Sequence, residues 1–81
     1  MKDIKIKEIL LQYLDDYDTS LSKKESDHIH VAEILDSVSM LEFILFLEKK
    51  FNLTIEDYDV NAENFYSLTN IISFIEKKLD F

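Results

Sequence analysis

The residue best placed to do chemistry is Ser37, whose hydroxyl stands where an irregular stretch of chain meets a predicted helix. A helix start offers free backbone N–H groups and the positive end of the helix dipole, and both favour a negatively charged group. No glycine flanks this serine, so the strained turn that carries the nucleophile of many serine hydrolases is not supported. The plain structural alternative is that Ser37 only caps the helix or fills its first turn.

The helix that begins at Ser37 is predicted to run to Phe51. Asp36 is a good N-cap residue, because its short carboxylate can accept a hydrogen bond from a backbone N–H of the first turn. Asn52 can take the left-handed conformation that ends many helices, a place usually filled by glycine, which this chain lacks. These two residues set the expected boundaries of the helix that presents Ser37.

This helix carries more apolar residues than one buried face requires. One stripe could serve a core, and a second stripe is turned well away from it. The first contains Met40, Phe43, Ile44, Leu47 and Phe51, and the second contains Val38, Leu41 and Leu45. A helix in a small bundle cannot easily bury both. Either the helix is central and nearly enclosed, or the second stripe is an exposed docking strip that begins one residue after Ser37.

Helical periodicity predicts two more long helices, one over residues 3–17 and one that follows the cap residue Ser67. The apolar face of the first contains Ile6, Ile9, Leu10, Tyr13, Leu14 and Tyr17. That of the last contains Leu68, Ile71, Ile72, Ile75 and Leu79. The residues between these helices should form connections.

Residues 18–36 show no sustained period, so they are expected to form a long ordered loop with apolar plugs. The plugs are Leu21, Ile29, Val31, Ile34 and Leu35. Residues 53–64 read as a connection with a short helical turn. The predicted fold is an all-α four-helix bundle with a long first loop, made of three long helices and one short one. Residues 1–81 are expected to be a single domain.

The charge of the chain restricts its partners. Seventeen acidic residues against nine basic ones give a formal net charge of -8, which disfavours nucleic acid and anionic membranes and favours partners with basic surfaces. No apolar run is long enough to cross a bilayer, and the first residues do not form the apolar segment of a signal peptide. A soluble cytoplasmic protein without membrane insertion is therefore expected.

Two patterns suggest metal ligands, and neither is complete. Residues 57–61 match the opening of an EF-hand calcium loop, but Ala62 stands where the turn needs glycine and Leu68 where the loop needs a bidentate glutamate. His28 and His30 alternate, yet the chain has no cysteine and offers no obvious third zinc ligand. Both histidines are expected to face solvent, and no metal site is predicted.

A longer pattern around Ser37 resembles that of acyl carrier proteins. It consists of Ile34-Leu35-Asp36-Ser37-Val38 followed by Leu41-Glu42, Leu47-Glu48, Phe51 and Ile55, and the resemblance covers roughly residues 29–79. It implies that Ser37 bears 4′-phosphopantetheine derived from coenzyme A. The thiol of that arm would hold an acyl unit as a thioester. A carrier of this kind is a partner of enzymes and not an enzyme itself.

The same resemblance implies which residues and partners take part in docking. In that family the helix after the serine is the main surface read by partner enzymes, which here makes Asp36, Val38, Leu41, Glu42, Leu45 and Glu48 the expected docking residues. The implied partners are a phosphopantetheinyl transferase, an acyl- or aminoacyl-loading enzyme, and a downstream acyltransferase or synthase. A monomer is expected.

Departures from the family pattern point to a specialised carrier. Ile34 stands where glycine is usual. Ser39, Lys49 and Lys50 leave the surface of the helix with fewer acidic residues than is usual in the family. The motif at residues 34–37 and the segment 63–67 resemble small free-standing carriers, such as D-alanyl carriers and carriers of glyceryl or hydroxymalonyl-type extender units. Two alternatives stay open: a D-alanyl carrier loaded by an adenylating ligase, and a helical interaction module without a prosthetic group.

Overall fold

Helices are the only regular elements in residues 2–79, the part of the chain that the computed structural model describes. The α-helices are α1 (Lys2–Leu14), α2 (Val31–Ile34), α3 (Ser37–Phe51), α4 (Ala62–Phe65) and α5 (Leu68–Lys78). Short 3-10 helices occur at Leu21–Lys23, Ser26–His28 and Asp57–Asp59. The predicted all-α fold with three long helices is confirmed, and it contains two short α-helices where one was expected.

α1 ends three residues before the predicted boundary. The N–H groups of Tyr17 and Asp18 both donate to the carbonyl of Leu14, at 2.9 and 3.1 Å, which closes the helix in a turn. Acidic residues at 15 and 16 are unfavourable at the negative end of a helix dipole. The carboxylate of Asp18 then accepts hydrogen bonds from the N–H and hydroxyl of Ser20. Tyr17 therefore lies beyond the end of α1, and it is 43% exposed, so the prediction that placed it on the apolar face of the helix is wrong.

The long first loop is ordered by its apolar plugs, as predicted. Four of them are at most 4% exposed, namely Leu21, Ile29, Val31 and Leu35. The carbonyl of Ile29 accepts the N–H of Leu68 at 2.9 Å, which fastens the loop to the start of α5. The loop also contains α2, which was not predicted, because four residues make only one helical turn and show no period.

α3 has the predicted boundaries and both predicted caps. One carboxylate oxygen of Asp36 accepts the N–H of Ser39 at 2.8 Å, and the carbonyl of Asp36 accepts the N–H of Met40. Asn52 ends the helix with φ 54° and ψ 54°, and its N–H donates to the carbonyl of Glu48. Local side-chain chemistry therefore fixes where the helix starts and where it stops.

The residues that match the opening of a calcium loop lie in the connection between α3 and α5, where their side chains make hydrogen bonds and an ion pair. The N–H of Glu56 donates to Asp59 Oδ2 at 2.9 Å, and the N–H of Asp59 donates to the carbonyl of Glu56 at 2.9 Å, so the two residues enclose the 3-10 helix. Asn61 accepts the N–H of Asn64 at 2.9 Å and so caps α4. Asp59 also pairs with Lys78 at 3.0 Å. Within residues 2–79, no three acidic, histidine or cysteine side chains are grouped closely enough to hold a metal ion.

The core lies between α5 and the inner faces of α1, α3 and α4. Ser67 caps α5 as predicted, because its hydroxyl accepts the N–H of Asn70 at 3.3 Å. In the predicted stripe Leu68, Ile71 and Ile75 are fully buried, whereas Ile72 and Leu79 are only partly buried. Phe74 is buried and was missed. None of the helices described in residues 2–79 has both the length and the apolarity that a bilayer crossing requires.

Candidate functional site

Ser37 is the first residue of α3, and its side chain is exposed. Its hydroxyl has no hydrogen-bond partner in residues 5–21 and 23–79, where both backbone and side chains are described. The cap of the helix is supplied by the preceding residue, Asp36, so capping does not engage the Ser37 hydroxyl. Ser37 is therefore not the cap but a residue of the first helical turn, the other place that the plain structural alternative gave it. The structure presents a hydroxyl to solvent at the positive end of a 15-residue helix.

Asp36 is exposed, and its charge is directed at the helix start. The N–H of Ser39, followed by the Ser39 side chain, holds the pKa of the Asp36 carboxyl below its ordinary value. The carboxylate therefore stays ionised next to the N-terminus of α3, where a negative charge is favourable. The carboxylate that was predicted to take part in docking thus already accepts a backbone N–H of α3.

The second apolar stripe of α3 is exposed. Val38 is 69% exposed, Leu41 59% and Leu45 54%, whereas Phe43 and Leu47 on the opposite face are fully buried. The alternative of a nearly enclosed helix is therefore wrong. Ser37 lies on the same face, because Leu41 and Leu45 follow it at intervals of four residues. We call Val38, Leu41 and Leu45 the exposed strip.

Two acidic residues of α3 that were predicted to dock have different surroundings. Glu42 is exposed beside the exposed strip and has no ion-pair partner among the side chains described in residues 5–21 and 23–79. Glu48 is partly buried, and its Oε2 accepts the N–H of Ile55 at 2.8 Å. The Glu48 side chain thus holds the segment that follows α3 against the helix. No short-range sequence pattern predicts this hydrogen bond, because its two partners are seven residues apart.

An apolar groove of about 330 Å³ includes Met40 of α3 in its wall. It is open to solvent and is lined by Ala32, Met40, Val60, Asn61, Ala62, Phe65 and Tyr66. Met40 follows Ser37 by three residues, and a helical side chain leans toward the turn that precedes it. The Met40 edge of the groove therefore lies next to Ser37. The sequence did not predict this groove, because its walls come from three separate segments.

Tyr66, which lines the groove, packs against the ring of His30. Tyr66 is half exposed, and its ring lies 4.8 Å from that of His30, at an interplanar angle of 31°. His30 Nδ1 lies 3.7 Å from a carboxylate oxygen of Glu33. His28 is exposed as predicted, but His30 is partly buried, which corrects the prediction that both histidines face solvent.

The remaining flank of α3 is fixed to α1 by aromatic packing. Tyr13 stacks on Phe46 at a centroid distance of 4.4 Å and contacts Phe43 at 5.3 Å. Burial, with a smaller contribution from the neighbouring Tyr17 hydroxyl, raises the pKa of Tyr13 to about 12. α3 is therefore anchored on one side, so the strip and the groove are the surfaces left open near Ser37.

Comparison with known proteins gives one informative match. No family model matches the chain. No solved structure matches it at a significant level. A curated acyl carrier protein from Exiguobacterium sp. (strain ATCC BAA-1283 / AT1b) is 41% identical over 44 residues. The aligned part is 54% of this chain and 53% of that protein, so the chain spans about half the length of the curated relative that it matches.

Proposed function

We propose, from this relationship to acyl carrier proteins, that the chain is a discrete acyl carrier that bears 4′-phosphopantetheine on Ser37. When bound, the arm supplies a thiol that holds an acyl unit as a thioester. The protein then presents that unit to successive biosynthetic enzymes at a high effective concentration. It is a substrate and partner of those enzymes and performs no catalysis alone.

The observation that carries this proposal is the unengaged hydroxyl of Ser37 at the start of α3. A phosphodiester on that oxygen would lie beside the backbone N–H groups and the positive dipole of a long helix. No side chain has to move to expose the hydroxyl, because Asp36 already supplies the cap. The residues present therefore fit a phosphate-linked arm at this position.

Attachment of the arm requires a transferase and coenzyme A. The Ser37 hydroxyl attacks the β-phosphate of coenzyme A, a new P–O bond forms, and adenosine bisphosphate leaves as its own P–O bond breaks. The hydroxyl proton passes to a base of the transferase. Asp36 keeps the helix start intact during this step, since its carboxylate remains bound to the N–H of Ser39.

The exposed strip supports docking of the partner enzymes. Val38, Leu41 and Leu45 present an apolar surface on the same helix as the modified serine, and Glu42 adds a carboxylate at its edge. Glu48 joins this surface only through the carboxylate oxygen that does not bind Ile55. The partners that fit are a phosphopantetheinyl transferase, a loading enzyme, and a downstream acyltransferase or synthase with a basic and apolar docking site. The proposal places the carrier in the cytoplasm as a monomer.

The test is incubation of the apo protein with coenzyme A, magnesium and a promiscuous phosphopantetheinyl transferase, followed by measurement of the intact mass. The wild type should gain one phosphopantetheine group, and Ser37→Ala should gain none. Ser39→Ala is a matched control, because it removes a hydroxyl from the same turn and should still be modified. An unmodified wild type would favour the alternative of a plain interaction module.

A further inference from the structure

A second pocket, of about 430 Å³, lies between α1 and the first loop and is open to solvent. Lys7 of α1 lines it together with five residues of the loop, namely Lys23, Lys24, Glu25, Ser26 and Asp27. It shares no lining residue with the exposed strip or with the apolar groove. All of its lining residues are polar or charged, so charges and hydrogen-bond donors are the groups that can recognise a ligand there. We call it the lysine pocket.

The lysine pocket gathers three of the nine lysines of a chain that contains no arginine. Lys7 is partly buried, whereas Lys23 and Lys24 are exposed. None of the three ammonium groups forms an ion pair with a carboxylate described in residues 5–21 and 23–79, although acidic residues outnumber lysines in the chain. Three positive charges therefore line one concave site without a carboxylate bound to them.

The acidic side chains near the pocket bind other groups. Asp27 Oδ1 accepts the hydroxyl of Thr69 at 2.6 Å. Hydrogen bonds from Ser20 hold the pKa of the Asp18 carboxyl below its ordinary value, and Lys24 contributes less, so this lysine lies near Asp18 without being paired with it. The lining itself has three ammonium groups and two carboxylates, which leaves an excess of positive charge in a chain whose net charge is -8.

The negative net charge of the chain does not prevent an anion from binding in the lysine pocket. At physiological ionic strength, exposed charges are screened over about 8 Å, so the ammonium groups in the lining outweigh carboxylates on distant surfaces. Lysine binds phosphate as a point charge, whereas planar recognition of a carboxylate favours the arginine fork. The hydroxyl of Ser26 is partly buried, has no hydrogen-bond partner in residues 5–21 and 23–79, and adds a further donor.

We propose that the lysine pocket binds a small soluble molecule through a phosphate or diphosphate group. The ammonium groups of Lys7, Lys23 and Lys24 neutralise the phosphate oxygens, and the Ser26 hydroxyl donates a hydrogen bond to one of them. None of these residues takes part in attachment of an arm to Ser37. The proposal therefore goes beyond the carrier function and can be tested separately from it.

A titration with pyrophosphate tests the proposal. The anion is added to the isotope-labelled full chain at constant ionic strength, where it replaces chloride, and the backbone amide signals are followed by NMR. The signals of Lys7 and of residues 23–27 should shift until the site is saturated, while those of α3 should stay in place. Shifts that do not saturate, or shifts of similar size at every lysine, would overturn the proposal.

Three lysine variants separate the pocket from the general charge of the chain. Lys7→Gln and Lys24→Gln should each weaken pyrophosphate binding about fivefold, because each removes one ammonium group from the lining. Lys49→Gln is the matched control, since it removes the same charge from an exposed position of α3 outside the pocket, and it should bind like the wild type. An equal loss of affinity in Lys49→Gln would show that only the overall charge matters.

Two further measurements identify the source of the phosphate and keep this test independent of the carrier function. A soluble ligand predicts that the chain does not sediment with phosphatidylcholine vesicles, whether or not they contain phosphatidic acid. Sedimentation that requires phosphatidic acid and is lost in Lys24→Gln would instead assign the pocket to a lipid headgroup and overturn the soluble ligand. Ser37→Ala cannot carry an arm but should bind pyrophosphate like the wild type, so failure of one proposal leaves the other standing.

Discussion

At the scale of single residues, Asp36 and Ser37 have separate tasks although they are neighbours. Asp36 satisfies a backbone N–H of α3 and keeps its charge there, as the lowered pKa of its carboxyl indicates. Ser37 has an exposed hydroxyl without a partner in the described part of the chain. This separation matters for a carrier, because modification of Ser37 would cost the helix none of its capping hydrogen bonds.

Replacement of the cap should affect stability and leave the chemistry of Ser37 possible. In Asp36→Ala the N–H of Ser39 loses its acceptor, so we expect a lower melting temperature and faster amide exchange in the first turn of α3. Asp36→Asn should retain most of the stability, since an amide oxygen can also accept that hydrogen bond. Ser37→Ala is the matched control and should melt like the wild type. Equal losses in Asp36→Ala and Ser37→Ala would contradict this division of tasks.

At the scale of elements, α3 has two apolar faces with different roles. Phe43 and Leu47 are fully buried on one face, whereas Leu41 and Leu45 are more than half exposed on the other. The sequence predicted both stripes, but it could not decide whether the second was enclosed, because that depends on how the rest of the chain packs. The structure shows that the second stripe is not enclosed, because α1 and the core pack against the opposite face of α3.

A pair of leucine substitutions distinguishes these faces. Leu41→Asp should leave the helical circular dichroism and the melting temperature nearly unchanged but should slow modification by the transferase, because a carboxylate then interrupts the apolar docking surface. Leu47→Ala should instead lower the free energy of unfolding by about 2–5 kcal/mol, as expected for a buried leucine. Marked unfolding of Leu41→Asp would show that Leu41 contributes to the core.

Elements with local signals could be predicted from the sequence, and elements that depend on distant partners could not. Asp36, Asn52 and Ser67 gave correct helix boundaries, because a cap acts on the N–H or C=O groups of its own turn. α2 and the apolar groove were missed, since the groove brings together Ala32, Met40 and residues 60–66. Phe74 follows Ile71 by three residues and so fits the helical period of the buried face, although the predicted stripe omitted it; only its packing on Phe65 depends on tertiary structure.

At the scale of the whole molecule, an acidic chain is stabilised by carboxylates with specific partners. Asp59 is the clearest case, because the N–H of Glu56 and the ammonium of Lys78 both hold the pKa of its carboxyl below the ordinary value. The folded state therefore binds fewer protons than the unfolded state near that value. The stabilisation is complete above the ordinary aspartate range and is lost as the pH falls through the folded pKa.

This linkage predicts how stability depends on pH. Between about pH 6 and pH 3, the free energy of unfolding should decrease more steeply in the wild type than in Asp59→Asn, which has no carboxyl to protonate at that position. Asp57→Asn is the matched control, since it removes the same charge from an exposed neighbour and leaves the pair with Lys78 intact. Urea denaturation at several pH values measures the slopes. Identical slopes for Asp59→Asn and the wild type would contradict this assignment.

The central claim is that Ser37 carries the arm, and localisation of the modification tests it most directly. After treatment with coenzyme A and the transferase, the protein is digested and the peptide that contains Ser37 is fragmented in the mass spectrometer. The account predicts that the added phosphopantetheine mass lies on Ser37 in the wild type and in Ser39→Ala. Its presence on another serine, or its absence from every peptide, would contradict the account.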